Sequence, residues 1–143
     1  MKQFLICLTV IILIISKNSY ANATDDCVVK NVNICTAAKK ATQNINKKLP
    51  LTFGDITFVK TDAKGKQIFY YYKVNHTIEK AAELVHATVD QFKEAQKIVG
   101  KNLICQDKLS QLVIEYGVTI IVTYTFSDGA INQFFITDCP SSH

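Results

Sequence analysis

Cysteine and histidine carry most of the chemistry this chain could offer, and their spacing decides its kind. The cysteines are Cys7, Cys27, Cys35, Cys105 and Cys139. None are paired at Cys-x-x-Cys spacing, so a zinc site is a weak expectation. Behind the apolar front of the chain an even number remains, Cys27, Cys35, Cys105 and Cys139, which in an exported protein reads as two disulfides. Three pairings are open, of which Cys105–Cys139 with Cys27–Cys35 is favoured. A Cys27–Cys35 bridge requires that the two do not share one continuous helix, which would hold them about 12 Å apart. His86 could act as a base oriented by Asp90, with Glu83 one turn away on the other side, but an exposed ion pair fits these residue types better. His76 opens a helix and His143 ends the chain. No serine sits in a nucleophile elbow and no glycine-rich loop cradles phosphate. We therefore expect a non-enzyme with no catalytic residue, metal or cofactor.

The front of the chain sets the compartment. Lys2, the apolar run Phe4–Ile15 and the exit Ala21-Asn22-Ala23 read as a secretory signal peptide over 1–23, cleaved before Thr24. The run is well short of the roughly 20 residues that span a bilayer. Neither Cys7, inside the run, nor Cys27, behind Thr24-Asp25-Asp26, has the setting of a lipidated cysteine, so no lipid anchor is evident. The expected location is the periplasm, with the outer membrane as one address in it, or the medium. The formal charge of +4 becomes 4 − 2 = +2 once Lys2 and Lys17 are removed. There is no arginine, the residue suited to bidentate phosphate contacts, so nucleic acid is not an expected partner.

The elements that must position these residues follow from periodicity. Ala38, Ala41, Ile45 and Leu49 form the buried stripe of a helix over Thr36–Lys48, stopped by Pro50. Gly54–Lys60 and Gln67–Val74 are strands joined by a turn at Asp62–Lys66. The second, QIFYYYKV, is apolar on both faces and so reads as central. A long helix runs from a Thr77 cap to Gly100 on the stripe Ile78, Ala82, Val85, Val89, Phe92, Val99. Cys105 then precedes a short helix, capped by Asp107, carrying Leu109, Leu112, Val113 and Tyr116, and ended by Gly117. Strand Val118–Phe126 alternates Val118, Ile120, Val122, Tyr124, Phe126 against Thr119, Ile121, Thr123, Thr125. A turn at Ser127-Asp128-Gly129 returns the chain, placing Phe134 and Ile136 on the Val118 face and Ile131 and Phe135 beside Ile121. The fold class is α+β: residues 24–143 as a single domain, with a mostly antiparallel four-stranded sheet, about three helices and disulfide ties.

Two surfaces could meet a partner. If helices cover one sheet face only, Phe69, Tyr71, Ile121, Ile131 and Phe135 form an exposed apolar strip suited to an amphipathic helix. The competing reading has the first helix cover that strip. Lys39, Lys40, Lys47 and Lys48 could touch anionic lipid headgroups, though a solvated helix face is the plainer reading.

The segment Asn44-Ile45-Asn46-Lys47-Lys48-Leu49-Pro50-Leu51, then Gly54, Asp55-Ile56-Thr57 and Ala63-Lys64-Gly65, resembles the start of the Vibrio-type type II secretion pilotins, the AspS-like or GspS-beta group. Leu103-Ile104-Cys105, the helix ending Glu115-Tyr116-Gly117 and the hairpin closing in Asp138-Cys139 resemble the same family's C-terminal half. The resemblance spans most of 44–139. It implies a small α+β domain whose disulfide corresponds to Cys105 and Cys139, and a protein that docks the C-terminal helix of an outer-membrane secretin. The chain departs from the family by lacking a lipobox, by carrying Cys27 and Cys35, and by a longer stretch around Thr77–Lys101. The function expected is thus an exported, pilotin-like binding protein, with a soluble periplasmic or secreted interaction or inhibitor protein as the alternative.

Overall fold

The computed structural model describes residues 27–140. The expected signal peptide, its cleavage point, Cys7 and His143 lie outside them. The described residues fall into two units, one ending at Asn33 and the other beginning at Ile34.

In the first unit, β1 (Val28–Val29) and β2 (Val32–Asn33) form a two-stranded antiparallel hairpin. Lys30 and Asn31 both take positive φ, 49° and 65°, the geometry of a two-residue hairpin turn. The hairpin rules out a continuous helix between Cys27 and Cys35, as expected. Both of these cysteines are disulfide-bonded.

The second unit holds α1 (Ile34–Asn46), β3 (Leu51–Phe53), β4 (Ile56–Lys64), β5 (Gln67–Val74), α2 (Ile78–Leu84), α3 (Val89–Gln106), α4 (Lys108–Glu115), β6 (Thr119–Thr125) and β7 (Ile131–Ile136). The α+β class and the mostly antiparallel sheet hold. The sheet has five strands, however, in the order β3-β4-β5-β6-β7. The missed strand is β3. Pro50 and Gly54 fence it into three residues, too short to show alternation, yet it pairs with β4 across a turn where Gly54 takes φ 58°. Only β5 and β6 pair in parallel, with Ile68 opposite Ile120, and α2, α3 and α4 make the crossover between them.

The expected long helix is two helices. Thr77 caps α2, accepting from the Lys80 N–H at 3.1 Å. The chain then breaks at His86, φ 55°, and restarts at a capping box in which Thr88 and Gln91 each accept the other's backbone N–H. Val85 is consequently exposed, and His86 leaves the helical register that would have aligned it with Asp90. Gly100 does not end α3. It lies inside the helix, buried against Phe134, and α3 runs on through Cys105 to Gln106. Asp107 is at once the C-cap of α3 and the N-cap of α4, accepting from the Ser110 N–H at 2.8 Å.

Every described helix of this unit packs on one face of the sheet. From α1, the Asn46 side chain accepts from the Thr61 N–H (2.7 Å) and donates to the Thr61 carbonyl (2.9 Å). Thr61 stands opposite Tyr70, and Tyr70 packs on the core of Cys105, Ile114, Ile120, Val122, Phe134 and Ile136. From α3, Gln96 accepts from Asn132 at 2.7 Å. From α2, Ile78 and Ala81 bury Val74 and Phe126. On α4 the buried residues are Ser110 and Ile114, with Val113 half-buried, while Leu109 and Leu112 are exposed. The expected stripe was therefore rotated from the true one.

Candidate partner-binding face

One-sided packing of the described helices leaves the other face of the sheet without a described helix over it. Strand parity decides what stands there. Phe69 pairs with Ile121 across the parallel seam, and Ile121 with Phe135 across the hairpin, so the three form a row. Tyr71 pairs with Thr123 and Ile131 with Thr125 on the same face. The structure thus brings together all five residues of the expected strip, and α1 lies on the opposite face, not over it. Ile121 is buried among its neighbours, Phe69 and Tyr71 are half-buried, and Ile131 and Phe135 are each 58% exposed.

The strip is an apolar row with a polar frame. Phe69 and Tyr71 stack with centroids 6.3 Å apart, and Lys60 Nζ lies 4.8 Å above the Tyr71 ring. Gln133 donates to Thr123 Oγ1 at 2.9 Å between the apolar positions. A recess of about 390 Å³ adjoins Phe135 along the outer edge of β7, with Asp90, Lys93, Glu94, Lys97 and Gln133 on its wall. A face of this kind can bury apolar side chains at its centre and meet polar groups at its rim.

The helix-covered side is a rigid backing. Tyr72 stacks on Phe58 (4.6 Å) and on Tyr124 (4.8 Å). Burial pushes the phenols of Tyr70, Tyr72 and Tyr124 above their ordinary range, and a hydrogen bond with Ser110 partly offsets this at Tyr70. The Cys105–Cys139 disulfide, Cα atoms 5.5 Å apart, is present as expected. Because Cys105 sits in the last turn of α3, the bridge ties α3, not α4, to the segment after β7. Lys101 reinforces the tie by donating to Asp138 at 2.8 Å, and this contact holds the Asp138 carboxyl below its usual range.

The candidate acid–base group does not assemble. His86 makes no ion pair with Asp90 among the described residues; the histidine ion pair there is His76 with Asp55, 3.1 Å apart. Among the described residues no three His, Cys, Asp or Glu side chains cluster as metal ligands would. No described helix is long and apolar enough to cross a membrane.

The whole arrangement has counterparts among solved structures. It is similar to the pilotin EpsS of the Vibrio vulnificus type 2 secretion system (TM-score 0.59, 13% identity, covering 76% of this chain and 94% of that one). It is similar as well to the type II secretion pilotin AspS of Vibrio cholerae (TM-score 0.56, 17% identity, 83% and 95% covered). The fold is that of the type II secretion pilotins. The pilotin fold also matches a Pseudomonas aeruginosa protein whose name records only an inferred secretion (TM-score 0.53, 14% identity, 71% and 88% covered). No protein-family model and no curated protein matches the sequence. The likeness is therefore one of pilotin architecture carried by a distant sequence.

Proposed function

We propose that this is an exported, non-enzymatic binding protein acting as a pilotin, which holds an amphipathic helix, the C-terminal segment of an outer-membrane secretin, on the face formed by Phe69, Tyr71, Ile121, Ile131 and Phe135. The observation that carries this reading is a sheet face that no described helix covers, with Ile131 and Phe135 standing out of it. The pilotin architecture supports the choice of partner. Disulfide-bonded cysteines fit an oxidising compartment, and an exported chain would meet its partner there. An apolar row with a charged and polar rim suits an amphipathic helix with apolar residues at one-turn spacing.

Calorimetric titration of the protein with the C-terminal peptide of the same organism's secretin tests this. Micromolar or tighter binding is expected, lost in Phe135→Asp and Tyr71→Asp variants whose melts stay cooperative. Binding that survives both changes would remove this face from the proposal. Absence of binding by the wild type would turn attention to the second reading, a soluble periplasmic or secreted interaction or inhibitor protein. That reading is favoured by the occurrence of the same fold in a protein not named as a pilotin.

A further inference from the structure

The corner between α1 and β3 is basic and free of acids. From Ile34 to Gly54 the chain contains Lys39, Lys40, Lys47 and Lys48 and no acidic residue. All four lysines are exposed. Lys39 and Lys40 stand on α1, and Lys47 and Lys48 on the turn that follows it. On the sequence alone a solvated face is the plainer reading of these lysines. The structure adds β3. Leu51 and Phe53 alternate to the same side of this edge strand, 43% and 65% exposed. Phe53 directly precedes the Gly54–Asp55 turn and so sits at a hairpin tip. The nearest acid, Asp55, is paired with His76.

Lys48 shares one surface with apolar residues here. Lys48 and Asn44 rim a recess of about 180 Å³ whose floor is Ile45, Leu49, Leu51 and Phe58. That volume falls below the roughly 300 Å³ at which small-molecule pockets begin. Phe53 projects from the corner and does not line a groove. Projecting aromatics amid lysines match a soft, anionic, interfacial medium better than a shaped protein surface.

We propose that the α1–β3 corner docks on an anionic bilayer, with Phe53 and Leu51 entering the headgroup region and Lys47 and Lys48 meeting lipid phosphates. Leu51 and Phe53 pair with Phe58 and Ile56 and share the helix-bearing face of the sheet. The face that carries Phe69 and Phe135 is the opposite one, so the inference does not depend on what that face binds.

The chain has no tryptophan, so Phe53→Trp provides a single local reporter. The experiment mixes this variant, purified as the cell processes it, with phosphatidylglycerol-containing vesicles and with pure phosphatidylcholine vesicles. A blue shift of the tryptophan emission is expected with the anionic vesicles only, and raised salt should weaken it. Lys47→Gln with Lys48→Gln should lower partitioning about fivefold per lysine. Phe53→Ser should lower it further without altering secretin-peptide titration. A blue shift at Phe135→Trp with none at Phe53→Trp would overturn the proposal. Equal response to both vesicle types, or binding only of an acidic peptide, would overturn it as well.

Discussion

A Cβ placed on Gly100 would lie 2.7 Å from Cζ of Phe134, inside the distance real Cβ atoms keep. Helix α3 can rest on β7 only because position 100 has no side chain. Gly100→Ala gains helix propensity of about 1 kcal/mol but overpacks the core by about 1–3 kcal/mol. The expected net effect is destabilisation of up to about 2 kcal/mol, read from the midpoint of chemical denaturation. Shortening the ring in Gly100→Ala with Phe134→Leu should recover part of it, and an alanine variant as stable as the wild type would show that the contact is slack.

The Cys105–Cys139 bridge closes a loop with a sequence separation of 34 residues. Loop-closure entropy for that length gives about 4 kcal/mol, within the range seen for small exported domains. Cys105→Ser with Cys139→Ser should lower the unfolding free energy by about 2–5 kcal/mol. A denaturation curve that overlays the wild type would contradict this.

Asn46 satisfies both backbone groups of buried Thr61 with one amide, so the end of α1 acts as an extra rung beside β4. Asn46→Ala strands that N–H and carbonyl and should cost about 1–3 kcal/mol. Asn46→Asp can accept but cannot donate, so it should recover only part of the loss. Amide exchange at Thr61 would show the opening directly.

Three buried phenols set the alkaline limit. Tyr70, Tyr72 and Tyr124 ionise above the ordinary value of 10.0 in the folded protein, because burial opposes their charge. Unfolded tyrosines lose protons near that ordinary value, so above it the unfolded state binds fewer protons than the folded one. Stability should therefore be level below about pH 10 and fall as pH rises beyond it. Phenolate absorbance should show these three ionising together with unfolding; titration at the ordinary value without unfolding would count against their burial.

Most of this architecture was legible because strand signals are local. The β6–β7 hairpin, its two faces and the placement of Ile131 and Phe135 follow from alternation around Ser127-Asp128-Gly129, and the five-residue strip follows from them. The break at His86 was legible too: Thr88-x-x-Gln91 is a capping box, hidden by an apolar stripe that happens to keep phase across it. Gly100 was not, since a glycine that stops a helix and one that admits a neighbouring ring look alike until Phe134 is in place. The exposed Leu109 and Leu112 show a related limit: on an eight-residue helix two leucines can outvote Ser110 on paper, and packing reverses it. The α1–β3 corner needed three dimensions, because the edge strand that completes it is only three residues long.

The single parallel pairing of β5 with β6 makes the sheet two antiparallel ribbons stitched along one line. Each ribbon closes through short turns, whereas the stitch must wait for the crossover that carries α2, α3 and α4 to be laid down. Distant pairings of this sort are the slow ones in folding. Phe69 and Ile121 face each other across that line, so the central row of the candidate face is expected to form late in folding. A chain emerging from an export channel would thus lack a finished docking row until its helices had already been packed.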